Sequence, residues 1–287
     1  MQKLKSLIIL VTMIASCSLS FGQKQLKLSL AEWSLHRTIN NGEMTNLDFP
    51  RFAKTKYNID AVEYVSTFFK GKGEDQTYLL NLKNECKKYG VKSLLIMVDG
   101  EGALADTNSS IRDKTIENHH KWVKAAKFLG CHSIRVNVQG EGTMEQVKKA
   151  AIDGLSKLCN YAANYKINVI VENHGGYSSN GKWLSEVIKG VNKLNCGTLP
   201  DFGNFYEYDR YKGTQEMMPF AKGVSGKSYD FDAQGNETKI DYARMIKIVK
   251  DSGYKGYIDV EYEGSRLSED EGIKATKLLL DRLIAQK

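Results

Sequence analysis

Two strand-like runs in this sequence each end on a glutamate: Val169-Ile170-Val171 leads into Glu172, and Ile258-Asp259-Val260 leads into Glu261. A third carboxylate, Asp201, closes the run that starts at Gly197. Polar residues collect at strand ends simply because water begins there, so no single one of these is diagnostic. Together they describe chemistry. Carboxylates converging on one mouth repel each other, and a divalent cation is the least costly compensation; an oxygen-rich donor set favours magnesium, manganese or a related ion such as cobalt. Two glutamates on nearly opposite walls can take and return a proton across a bound sugar, while a metal polarises a carbonyl or hydroxyl and eases enediolate formation.

Other residues at strand ends extend the candidate site. Lys227 lies two positions beyond Ser225 and shares its strand face. Its cation either holds an enolate oxygen or forms a salt bridge to Asp201 or Glu261. His174 lies two positions after Glu172, on the same face, as a ligand or a substrate contact. Trp33 and His36 stand at and just after the end of the first run, and aromatic faces suit sugar rings, so both are expected to touch substrate, as are Arg135 and Asn204. Glu63 and Asp99 are expected to support these groups from behind. His119, three residues after Ile116 and four before Val123, reads as a packed or capping helix residue, and His120 and His132 carry no signal.

Something must hold these side chains together, and the chain alternates between short β-branched runs and longer stretches of helical spacing. Strands are expected at Leu26–Ser34, Ala61–Val65, Val91–Val98, Ser133–Val138, Asn168–Asn173, Gly197–Asp201, Gly223–Ser228 and Tyr257–Tyr262. Helices are expected near Asp48–Tyr57, Asp75–Tyr89, Ser109–Leu129, Thr143–Tyr165, Lys182–Leu194, Tyr208–Met218, Asp241–Ser252 and Ser268–Ala285. Tyr89-Gly90, Leu129-Gly130 and Ser252-Gly253 have the glycine of a helix C-cap. Eight strand–helix units with no polar linker between them point to an α/β fold, a single (β/α)8 TIM barrel spanning 25–287. In such barrels chemistry sits at the C-terminal strand ends, where the residues above fall.

Four motifs then resemble a known family. Val-Glu-Asn-His-Gly-Gly (171–176), Leu-Pro-Asp-Phe-Gly-Asn-Phe (199–205), Val-Ser-Gly-Lys-Ser-Tyr-Asp (224–230) and Tyr-Ile-Asp-Val-Glu-Tyr-Glu-Gly (257–264) are similar to the xylose isomerase-like barrel superfamily of sugar isomerases and epimerases. The resemblance implies metal ligands at Glu172, Asp201 and Glu261, with the two glutamates doubling as acid and base. It also implies a histidine at the end of strand seven, in a His-x-Lys-Asp-like motif, where this chain has Ser225. That departure leaves Lys227 as the alternative electrophile. The implied activity is proton abstraction next to a carbonyl of a non-phosphorylated sugar, since no Gly-rich loop ahead of a helix is evident to cradle a phosphate. Elimination from 3-keto-glycosides by a lyase or hydratase needs the same acid–base pair. A sugar-binding barrel without catalysis is the third reading, motivated by Ser225. The superfamily's abasic-site endonucleases need several histidines around a zinc cluster, and five histidines with none at the strand-seven position argue against that class.

Composition narrows the setting. With 287 residues, 41 % hydrophobic, 26 % charged and only 3 Pro, the chain falls outside the disordered, collagen-like and coiled-coil classes. Its 41 basic and 34 acidic residues give +7 with no basic run longer than two, so no clustered nucleic-acid patch is expected. Lys3 and Lys5 precede the apolar run Leu7–Ala15 and the small-residue stretch Ser16–Gly22, the three parts of a secretory signal over 1–22. The run is far shorter than the ~20 residues of a membrane span. Cleavage after Gly22 gives an exported, periplasmic protein; the Ile14-Ala15-Ser16-Cys17 stretch instead suits a lipid anchor on Cys17. Cys86, Cys131, Cys159 and Cys196 form no C-x-x-C pair and no zinc signature, and are expected as buried thiols.

Overall fold

The computed structural model describes residues 26–286, so the expected leader and Cys17 lie outside the described residues. Its strands are β1 (Lys27–Ala31), β2 (Ala61–Val65), β3 (Lys92–Met97), β4 (Ser133–Val136), β5 (Asn168–Glu172), β6 (Cys196–Leu199), β7 (Val224–Ser228) and β8 (Tyr257–Tyr262). All ladders are parallel, in the order β6-β5-β4-β3-β2-β1-β8-β7. The circle closes between β6 and β7 through two isolated parallel bridges, Thr198 with Ala221 and Asp201 with Ser225. This is the expected (β/α)8 barrel, with a thin seam directly beside Asp201.

The helices between the strands are α1 (His36–Asn40), α2 (Phe49–Tyr57), α3 (Gln76–Tyr89), α4 (Ser109–Leu129), α5 (Met144–Ala163), α6 (Gly181–Val191), α7 (Arg210–Met217), α8 (Tyr242–Asp251) and α9 (Glu269–Ala285). Their starts are written in capping residues. Asp75 and Asn108 accept N–H groups of the first turns of α3 and α4, and Thr143 with Gln146 and Ser268 with Glu271 form reciprocal boxes on α5 and α9. Gly90 and Gly130 end α3 and α4 at φ values of 67° and 86°, the left-handed region that a glycine enters without penalty.

Both faces of the strands are buried, one under helices and one inside the barrel. On β8, Ile258, Val260 and Tyr262 face outward; a Cβ on Gly272 of α9 would sit 2.2 Å from the Tyr262 ring, which is why α9 carries a glycine there. The alternate residues, Asp259 and Glu261, point into the barrel. β1 is shorter than expected, because a 3₁₀ turn at Glu32–Leu35 replaces its last residues, and the unexpected α1 follows directly. Ser34 anchors that turn by donating to the Val260 carbonyl at 2.9 Å and accepting the Tyr262 N–H at 2.9 Å. β6 stops at Leu199 because Pro200 has no N–H for the ladder. Cys86, Cys131, Cys159 and Cys196 are buried free thiols. No helix among the described residues is long and apolar enough to cross a membrane.

Candidate active site

The C-terminal ends of the strands open into a cavity of about 390 Å³ lined by Trp33, Met97, Asp99, Arg135, Asn137, His174, Glu172, Lys227, Glu261 and Glu263, among others. β5 delivers Glu172, whose Oε2 lies 2.8 Å from Arg135 Nε on β4 and whose Oε1 accepts from Asn204 Nδ2 at 3.0 Å. Asp201 hangs just past β6. Asn173 pins it there with a reciprocal pair, donating from Nδ2 to the Asp201 carbonyl at 2.9 Å and accepting the Asp201 N–H at 2.8 Å. Asp201 Oδ1 takes the N–H groups of Gly203 and Asn204 at 2.7 and 2.8 Å. β8 presents Glu261, which accepts the Ser225 hydroxyl at 2.7 Å. Lys227 Nζ lies 3.3 Å from Asp201 Oδ2, 3.2 Å from Glu261 Oε1 and 3.3 Å from Glu263 Oε1.

The two glutamates sit in unlike environments. Complete burial pushes Glu172 up to about 8, against the pull of the Arg135 guanidinium. Burial also opposes charge on Glu261, but Lys227 and the Ser225 hydroxyl outweigh it and hold Glu261 below the usual carboxylate range. Near neutral pH, Glu172 therefore keeps its proton and Glu261 is ionised. A pair of titratable groups driven apart in this way is the arrangement that divides acid and base roles. The carboxylates around Lys227 hold it charged although it is buried.

The three residues expected as ligands are already paired with cations of this chain. Glu172, Asp201 and Glu261 do converge, but the Lys227 ammonium lies between Asp201 and Glu261 while Arg135 covers Glu172. Asp201 Oδ2, a buried oxygen without a hydrogen bond, faces that ammonium. Ser225 donates its hydroxyl to Glu261 and offers no imidazole. Among the described residues no three His, Cys, Asp or Glu side chains are grouped to hold an ion. A dication in this space would face the ammonium at a cost of about 5 kcal/mol per unit of charge at that separation, for an effective dielectric near ~20. The residues present do not fit a divalent metal.

Other expectations divide. Trp33, Arg135 and His174 line the cavity. His36 is not among the lining residues: its ring stacks behind Trp33 at 4.8 Å, its Nδ1–H donates to the Trp33 carbonyl at 2.7 Å, and Glu269 of α9 lies 3.5 Å away. Asn204 has its amide committed to Glu172, so it orients the acid. Asp99 accepts from Arg135 and Asn137 at 2.7 and 2.8 Å. Glu63 lies one layer deeper, taking the Ser29 hydroxyl at 2.7 Å. His119 donates within its own helix to the Thr115 carbonyl at 2.7 Å, a packed residue as its spacing implied. Sequence reading gave no role to Asn173 or Asp259; the parity of Asp259 with Glu261 was the available signal for the latter.

A family model described as Xylose isomerase-like TIM barrel matches residues 51–283. The chain is 32 % identical over 59 residues to a 3'-dehydrocarminate deglycosidase alpha subunit of Microbacterium, covering 21 % of this chain and 17 % of that one. It is 35 % identical over 54 residues to a C-glycoside deglycosidase alpha subunit of Arthrobacter globiformis, covering 19 % and 15 %. The chain thus spans less than a fifth of the length of either relative in these matches. Among solved structures, the IOLI protein with a bound zinc atom superposes with a TM-score of 0.74 at 17 % identity over 91 % of this chain and 98 % of that one. A D-tagatose 3-epimerase-like protein gives 0.71 at 17 % identity over 90 % and 97 %.

Proposed function

Because the chain belongs to the xylose isomerase-like TIM barrel family, we propose that it is an enzyme that removes a proton from the carbon next to a carbonyl of a non-phosphorylated carbohydrate, with Glu261 as base and Glu172 as acid. The observation that carries this reading is the asymmetry of the two glutamates on one cavity, Glu261 held ionised beside Lys227 and Glu172 protonated by burial. Return of a proton to carbon gives isomerisation or epimerisation, the outcome supported by the epimerase-like neighbour. Delivery of the Glu172 proton to a departing glycosidic oxygen gives elimination from a 3-keto-glycoside, and the partial likeness to deglycosidase subunits favours this as the second reading. Trp33, backed by His36 at 4.8 Å and Phe68 at 5.9 Å, forms a stacked aromatic wall suited to a sugar face. The reading includes export, supported by the basic, apolar and small-residue pattern of residues 1–22, which would bring the enzyme to carbohydrate outside the cytoplasm.

General acid–base groups contribute typically ~10² to 10⁴-fold, so Glu172→Gln and Glu261→Gln should each cut turnover by at least about 100-fold with the fold intact. The assay is a panel of ketoses and 3-keto-glycosides in heavy water. An isomerase or epimerase places solvent deuterium in its product, whereas a lyase releases the aglycone and leaves an unsaturated keto sugar. Near-normal turnover in both variants would put the chemistry on other residues.

A further inference from the structure

We propose that Lys227 is the resident electrophile of this mouth and that the enzyme turns over without a divalent ion. This rests on the acid–base reading above and adds the group that holds the enolate. Three observations support it. The space between Asp201, Glu261 and Glu263 already contains a buried ammonium, 3.2 to 3.3 Å from a carboxylate oxygen of each. Ser225, standing where the family pattern has an imidazole, donates a hydrogen bond from its hydroxyl to Glu261 at 2.7 Å and so holds that carboxylate ionised and in place. The lysine stem also packs on bare backbone: a Cβ on Gly203 would lie 2.3 Å from the Tyr229 hydroxyl, 2.7 Å from Lys227 Cδ and 3.0 Å from Lys227 Cγ, so the glycine at 203 makes room for both side chains.

Lys227 lines the cavity together with both glutamates. When Glu261 takes the proton, the C–H bond breaks and an O–H bond forms on the carboxylate. The electron pair enters a C=C bond, and the carbonyl becomes an enolate whose oxygen charge faces Lys227 Nζ. No oxidant or reductant is needed. Glu172 then gives its proton either to carbon or to the glycosidic oxygen as the C–O bond breaks, and Glu261 carries the proton removed. Kept charged by three acids, Lys227 donates hydrogen bonds to the oxygen and does not attack the carbonyl. A preorganised cation aimed at developing charge is the usual source of large rate effects.

The test uses wild-type protein, treated with chelator, checked by elemental analysis and titrated with manganese chloride by calorimetry without substrate. Turnover is then measured with and without manganese, cobalt and magnesium. The expected result is no binding heat and unchanged turnover. Lys227→Met should cut turnover by about 100-fold or more, unrestored by any of the three ions, while the double variant Ser225→His with Lys227→Met should gain manganese binding. Gly203→Ala, which presses on the same stem and on the Tyr229 hydroxyl, should also lose turnover and serves if Lys227→Met does not fold, with Tyr229→Phe as the control that keeps turnover. Stoichiometric metal in the wild-type protein, turnover regained only with manganese, or normal turnover in the Lys227 and Gly203 variants would overturn the proposal. The two readings fail separately, since manganese binding needs no substrate and speaks to Lys227 alone, while normal turnover in the glutamate variants speaks to the acid–base pair.

Discussion

At the residue scale, Glu172 and Glu261 act only in opposite protonation states, and this fixes the shape of a pH profile. Activity needs Glu261 ionised, so it rises with pH through a value below the ordinary carboxylate range. It needs Glu172 protonated, so it falls as pH passes about 8. The result is a bell whose apparent limbs belong to the coupled pair. Residual turnover of Glu172→Gln should lack the alkaline limb, because an amide does not titrate there; an unchanged limb would assign it to another group. Both glutamates were legible in the sequence because each ends a strand-like run. Their division of labour was not, because it depends on Arg135, Ser225 and Lys227 arriving from other strands. His36 shows the reverse failure. Its position after β1 was readable, but the 3₁₀ turn at Glu32–Leu35 and α1 place its ring behind Trp33.

At the scale of elements, the seam between β6 and β7 is closed by isolated bridges where the other neighbouring strands form ladders, and it is where Asp201 must be held. Asn173 substitutes for part of the missing ladder with its two hydrogen bonds to the Asp201 backbone. Asn173→Ala leaves a buried N–H and a buried carbonyl without those partners, each costing roughly 1–3 kcal/mol. Urea unfolding should therefore show a loss of about 2 kcal/mol or more, together with a fall in turnover as Asp201 loosens. An unchanged midpoint would mean that the seam is held elsewhere. Strand and helix order was readable because caps and glycines punctuate it, as at Asn108, Ser268 and Gly130. The early end of β6 was written in Pro200, but the pairing of Asp201 with Ser225 needs the closed circle.

At the scale of the whole molecule, the barrel interior stores protons. Burial pushes Glu63 up to about 7 and Glu32 to about 8, and raises Asp259 well above the ordinary value. An acid whose folded value lies above its unfolded value, ~4.3 for glutamate, contributes stability that is full below that pH and is lost as pH rises, at about 1.4 kcal/mol per pH unit for each group, until the folded value is passed. His119, His132 and His174 act in the opposite sense: burial holds each below its ordinary value, so they disfavour the fold at low pH and stop doing so above about 6.5. The wild-type curve mixes both effects, and Glu63→Gln separates them. The amide keeps the shape and a hydrogen-bond donor of the protonated acid but cannot ionise. Denaturant unfolding of the two proteins should favour the variant progressively between about pH 5 and about pH 7, with a constant difference above that, because the histidines cancel in the comparison. A difference that does not change with pH would mean that Glu63 is ionised in the folded barrel throughout, and the carboxyl layer beneath Glu261 would then carry a charge that Ser29 alone cannot balance.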